Sequence, residues 1–160
     1  MSDSTRFAAD AMLGRLARWL RVLGYDTWYD IAVADPVLVE LAASEDRILL
    51  TRDRLLLKEL RPVRAHEVRQ DAPLAQLRDV VLTLGLQPPP ELFTRCLLDN
   101  APLEVLAYDE AQPLLPEGVR GLPGPVRRCP ACGRLYWDGS HVRRMRAALQ
   151  RALPGWGVPA

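Results

Sequence analysis

Lysine is almost missing from this chain of 160 residues: Lys58 is the only one, so the 21 basic residues are nearly all arginine. The planar fork of arginine suits phosphate contacts, although a compositional bias across a whole proteome would look the same. Cysteine is scarce too, with three in all. No apolar run nears the length of a membrane span, and no stretch has the make-up of a signal peptide. These absences argue against a membrane protein and lead us to expect a cytoplasmic one, where paired cysteines hold metal rather than form a disulfide. Net charge is nearly lacking, at +1. A balanced total excludes neither nucleic acid nor an acidic partner, because it can hide a polarised surface. There is no internal repeat. What is present is apolar: 49% of residues are hydrophobic and 26% charged, enough to bury the core of one ordinary domain, or of a small one with an appendix.

The stretch Arg47-Ile48-Leu49-Leu50-Thr51-Arg52-Asp53 organises the rest. Three consecutive large aliphatics read as a short strand buried on both faces, the pattern of a parallel sheet. Residues 54–60 read as the helix after it, which puts Asp53 where a parallel strand hands over to a helix. Ligands of open α/β folds bind along that edge. Earlier, residues 6–10 suit a first strand ending in Asp10. Met12, Leu13, Leu16, Trp19, Leu20 and Leu23 have helical spacing, closed by Gly24. Residues 25–29 suit a second strand. Asp35-Pro36 marks the start of a helix, residues 63–68 suit a fourth strand, and residues 74–84 another helix before Gly85. The alternation predicts an α/β unit with a mainly parallel sheet flanked by helices.

Three prolines at 88–90 end helix and strand alike. We therefore expect a first domain over residues 1–87 and a second, smaller one over 91–153. The second is rich in proline and glycine and ends in an amphipathic helix at 142–153. Residues 154–160 read as a tail. A segment with so little core of its own is where a structural metal helps.

Asp10, Asp35 and Asp53 each precede a predicted helix, so each has an N-capping reading beside a catalytic one. As a set they weigh more. Clustered carboxylates repel unless a cation sits among them, and Mg²⁺ or Mn²⁺ takes carboxylate oxygens together with phosphate and water. Such an ion activates water for attack on a phosphodiester. Glu40 is a spare acid, Thr51 and Arg52 are placed to contact a substrate backbone, and His66 reads as packed or at the surface rather than as a base. Arg15, Arg18 and Arg21 share one face of the first helix, either solvated or contacting phosphate.

Cys129-Pro130-Ala131-Cys132-Gly133 is a metal-binding knuckle, and tetrahedral zinc in a ribbon wants two of them. The upstream partner is Cys96, with Asp99 three residues on where a second cysteine is expected. His141 is an alternative fourth ligand, and a ribbon that keeps its shape without metal is the other reading. Arg127, Arg128, Arg134, Arg143, Arg144 and Arg146 cluster nearby as candidate contacts to a phosphate backbone. Tyr136 and Trp137 suit either base stacking or the core of the ribbon.

Three segments carry a resemblance. They are Asp10-Ala-Met-Leu-Gly-Arg-Leu-Ala-Arg-Trp-Leu-Arg-Val-Leu-Gly-Tyr-Asp26, Ile48-Leu-Leu-Thr-Arg-Asp53, and Cys129-Pro-Ala-Cys-Gly-Arg-Leu-Tyr-Trp-Asp-Gly-Ser-His141 running on to Met145. Together the chain resembles the Mut-seven C-terminal RNase domain, a PIN-like nuclease family, over roughly residues 7–149. The resemblance implies a PIN-like α/β fold with a C-terminal zinc ribbon. It also implies metal-dependent ribonuclease activity through an acidic cluster matched by Asp10, Asp53 and, less directly, Asp35. The family pattern has cysteine where this chain has Asp99. An RNA-binding or protein-interaction module that does not cut is the alternative expectation.

Overall fold

The structure is a computed structural model that describes residues 4–157. Four short strands, β1 (Phe7–Ala9), β2 (Thr27–Trp28), β3 (Ile48–Thr51) and β4 (Ala65–Glu67), form a parallel sheet in the order β2-β1-β3-β4. The register pairs Ala8 with Leu49 and Leu50 with His66. Between the strands lie α1 (Gly14–Val22), α2 (Asp35–Ser44) and α3 (Arg54–Leu60), and α4 (Pro73–Leu84) follows β4.

The two-residue period of the strands divides the core. Phe7, Ala9, Ile48 and Leu50 face α1 and α4, whereas Ala8 and Leu49 face Leu38, Ala42 and Leu56 of α2 and α3. Each fully buried leucine on these strands contributes about 1.5–3 kcal/mol by leaving water. The layering makes the molecule α/β, as the alternation predicted.

Beyond the prolines, β5 (Glu104–Val105), β6 (Arg127–Arg128) and β7 (Leu135–Tyr136) form a three-stranded antiparallel sheet. A short helix, α5 (Tyr108–Ala111), joins it, and Leu106, Ala111, Leu115 and Val126 make a small core there. The long helix α6 (Ser140–Ala152) returns to the first unit. Its Leu149, with Leu92, Phe93 and Leu153, belongs to the same cluster as α1 and α4. Among the described residues no helix is long and apolar enough to cross a membrane.

A half-buried polar network ties the two parts together. The Arg47 guanidinium, 8% exposed, pairs with Asp26 at 2.7 Å and with Glu45 at 2.5 Å. Asp26 also accepts from Asn100 Nδ2 at 2.7 Å, and Asn100 Oδ1 accepts from the Thr27 amide at 2.9 Å. Burial alone would raise the Asp26 carboxyl, but hydrogen bonds from Arg47 and Asn100 outweigh it and hold the group below its usual range. A carboxyl lowered on folding stabilises fully above its unfolded value of about 4, and that contribution is lost as the pH falls through the folded value. Melting temperature is therefore expected to drop on acidification below about pH 4, and the drop should be shallower in Asp26→Asn. Parallel acid limbs for the two proteins would show that Asp26 is not the group responsible.

Candidate active site and metal group

The order β2-β1-β3-β4 places a switch point at the carboxyl ends of β1 and β3. The chain leaves β1 for α1 on one face of the sheet and leaves β3 for α3 on the other. Opposed crossovers leave a crevice between adjacent strand ends, where ligands of open α/β folds bind. Asp10 and Asp53 stand on its two sides.

Asp10 is only 5% exposed. Its Oδ1 accepts from the Met12 amide at 2.9 Å and so caps a 3-10 turn at Ala11–Leu13. Its Oδ2 accepts from the Thr51 hydroxyl at 2.5 Å and from the Arg52 amide at 3.2 Å. Thr51 Oγ1 in turn accepts from the Asp53 amide at 3.0 Å. The result is a relay of hydrogen bonds from the Asp10 carboxylate through Thr51 to the backbone amide of Asp53. Asp53 caps α3, but both amides it serves, Leu55 at 2.8 Å and Leu56 at 3.2 Å, donate to Oδ1. Among the described residues Oδ2 has no partner.

Several expectations need correction. Asp35 is the exposed first residue of α2 and caps nothing; Ala34 holds the capping position. The three aspartates do not close into a common ligand set. Among the described residues, Cys96, Asp99, Cys129 and Cys132 alone form a group of three or more such side chains within ligand distance. Thr51 is fully buried, so it positions Asp10 instead of touching substrate. The Arg52 side chain reaches Asp71 at 2.6 Å, a residue with no signal in the sequence. Glu40 is exposed on α2. His66 is partly buried and paired with Asp79 at 2.7 Å, in keeping with a packed histidine.

The arginine stripe also breaks up. Arg15 and Arg18 are exposed, but Arg21 is buried, donating to the carbonyls of Thr27, Leu97 and Leu98. It thereby clamps the Cys96 loop against the parallel sheet. Gly14, next to Arg15, lies in close approach: a Cβ there would lie 2.8 Å from the Tyr29 hydroxyl, which donates to the Ala11 carbonyl.

The second constellation closes as the spacing predicted. Ligand atoms of Cys96, Asp99, Cys129 and Cys132 lie within 4.8 Å of one another. Cys96 Sγ and Cys132 Sγ are 3.8 Å apart, and Cys129 Sγ is 3.2 Å from Asp99 Oδ1. Zn–S bonds of about 2.3 Å at tetrahedral angles put sulfurs about 3.8 Å apart, so the group fits a metal such as zinc. His141 is not part of it; it is exposed at the start of α6. Tyr136 takes a role the sequence did not reveal. Its hydroxyl lies 3.2 Å from Cys96 Sγ and accepts from the Leu97 amide at 3.0 Å. Such an outer partner orients a ligand.

Burial works to raise the Cys96 thiol, but hydrogen bonds from Tyr136 and from the backbone at Asp99 and Leu98 outweigh it and hold it below the usual thiol value. Burial, with the thiol donating a hydrogen bond to the Asp99 carboxylate, pushes the Cys129 thiol up to about 12. Asp99 lies below the usual carboxylate range, since donors led by Cys129 more than offset its desolvation. Metal entry must therefore displace the Cys129 proton.

Of the six arginines in the C-terminal part, Arg127 pairs with Glu91 at 2.7 Å and Arg128 with Glu110 at 3.6 Å. Arg146 lies 5.6 Å from the centre of the Phe93 ring, a cation–π contact, and Arg143 donates to the Asp138 carbonyl. Arg134 and Arg144 are exposed, with no side-chain hydrogen bond among the described residues.

A family model described as the Mut7-C RNAse domain matches residues 5–149, most of the chain. The chain belongs to the Mut7-C RNAse domain family. No curated protein and no solved structure matches it. Membership of the Mut7-C family points to a ribonuclease-type function and to RNA as substrate or partner. The matched span contains both the crevice between β1 and β3 and the four residues that could hold a metal.

Proposed function

We propose that this Mut7-C domain hydrolyses RNA phosphodiester bonds at the crevice between β1 and β3. The observation that supports the reading is the Asp10–Thr51–Asp53 relay at the switch point, one carboxylate locked and the other with an oxygen left over. On this reading the PIN-like fold supplies the crevice, and the C-terminal ribbon with its zinc holds the RNA beside it.

The strand-end acids fit a divalent ion of one kind. Mg²⁺ or Mn²⁺ commonly binds through one or two carboxylates plus substrate phosphate and water, not in an all-protein cage. Asp53 through Oδ2 and Asp10 through a remaining lone pair would hold such an ion together with the substrate. When bound, the ion supplies an activated water and neutralises charge at the phosphate. The chain's own contribution is positional: three donors keep Asp10 from moving, and capping of α3 fixes the direction of Asp53.

A non-cutting RNA-binding module is the second reading, favoured by the engagement of both Asp10 oxygens in internal bonds. Cleavage of a panel of labelled RNAs separates the two. Wild type should cut with Mg²⁺ or Mn²⁺ and stop when that ion is omitted. Omission is preferable to a chelator, which would also strip the thiolate group. Binding without cutting, unaltered by substitution of Asp53, supports the module instead.

A further inference from the structure

We infer that the groove between α1 and the three-stranded sheet binds single-stranded RNA with its bases turned inward. This rests on the ribonuclease reading and names the substrate form that the same site takes. The groove has a volume of about 740 Å³, and its walls come from α1, the start of α4, the Cys96 loop, β7 and α6. The lining is largely apolar and aromatic, including Trp19, Leu97, Tyr136, Trp137 and Met145. Gly139 makes room for the indole of Trp137, since a Cβ there would lie 2.7 Å from Nε1.

Charge identifies the occupant as a polyanion. Arg15, Arg18 and Arg134 line the groove and no carboxylate does, in a chain whose 21 bases are otherwise matched by 20 acids. Arg47, Arg52, Arg54, Arg127 and Arg128 are all paired with acids. Among the described residues the three groove arginines have no side-chain partner, so their charge is left for a ligand. A polyanion that also fills an aromatic trough is a nucleic acid with exposed bases. Each stacked base is worth about 1–3 kcal/mol, whatever its identity. A paired A-form helix hides its base faces and offers only shape and backbone, so a duplex cannot fill this trough.

One end of the groove is tied to the crevice through the chain. Its lining includes Ala72 and Pro73, which follow Asp71, and Arg52 grips Asp71 at 2.6 Å beside Asp53. A strand with bases in the groove would carry its backbone toward the relay between β1 and β3.

The test is equilibrium binding of a short labelled single strand, and of the same sequence as a duplex, with divalent ion omitted. Wild type is compared with Arg15→Ala/Arg18→Ala, two exposed and unbonded positions whose replacement should leave the melting temperature unchanged. We expect the single strand to bind at least ~10-fold tighter than the duplex and to quench tryptophan fluorescence. The double variant should weaken single-strand binding ~10-fold or more and lower the salt slope by about 1.4, two phosphate contacts at about 0.7 each. Equal affinity for strand and duplex, or an unchanged slope in the variant, overturns the inference. If the variant binds normally while loss of the Asp53 charge abolishes cutting, the groove assignment falls and the ribonuclease reading stands. If binding needs both arginines but wild type cuts no RNA, the groove assignment stands and the ribonuclease reading falls.

Discussion

Asp53→Asn is expected to lower the rate of RNA cleavage by about 10²–10⁴-fold, the usual worth of a positioned acid–base or charge-bearing group, without weakening the fold. Asparagine caps helices as well as aspartate does, and both amides Asp53 serves bond to Oδ1 alone, the atom an amide oxygen reproduces. The substitution thus removes charge and one ligand oxygen while keeping α3 in place. Alanine at the same position should cost about 1 kcal/mol of stability in addition. Asp10 offers no such clean probe. An amide nitrogen cannot accept from both Thr51 and Arg52, and alanine strands three donors in a buried site, at about 1–3 kcal/mol for each one left unpaired. Single-turnover cleavage beside a thermal melt decides the matter. Full activity in Asp53→Asn would return both aspartates to helix capping.

The other large effect concerns the thiolate group. Wild type should take up one zinc or cobalt per chain, the cobalt form showing thiolate-to-metal absorption, and Cys129→Ala should abolish both. An isolated finger owes about 10–16 kcal/mol of its folding to zinc. Here the loss should stay local. Leu149 and Phe93 belong to the main core, whereas Leu106, Ala111, Leu115 and Val126 form only a small cluster around the second sheet. In the variant, amides of β5, β6 and β7 should exchange quickly and residues 95–137 should become open to protease, while β1 and β3 keep their protection. Equal protection with and without metal would mean that the small sheet stands without it. Asp99→Cys should tighten zinc binding, because a soft thiolate replaces a harder carboxylate.

Local patterns were legible because each is set by near neighbours in the chain. Ile48-Leu49-Leu50 read as a strand buried on both faces, and it is one. Gly24 and Gly85 marked the ends of α1 and α4, and both hold positive φ, at 88° and 64°. The Cys129–Cys132 knuckle and its partner Cys96 could be paired from spacing, which left Asp99 and His141 both open as the fourth residue; the structure brings in Asp99. The aspartates were harder. Capping and catalysis demand the same residue at the same strand end, and a side chain is free for both only when one oxygen serves the helix and the other is left over. Only Asp53 has that arrangement. Asp35 looked equivalent in sequence but lies exposed on α2.

By itself, the sequence determined the α/β class, the order of the elements as far as α4, the cysteines that could hold a metal and the resemblance to the family. The first three depend on short-range periodicity or on motif spacing, and the last on the likeness of three segments to the family's. Tertiary structure decided which side chains meet. It turned Arg21 from a residue read as solvated or phosphate-contacting into a buried clamp, Thr51 from a substrate contact into a link between the Asp10 carboxylate and the Asp53 amide, and Tyr136 into an orienting partner of Cys96. It also assembled the arginine-lined groove from α1 and residues more than a hundred positions away. Those outcomes depend on the strand order and on how α6 packs back against α4, long-range choices that no local pattern in the chain encodes.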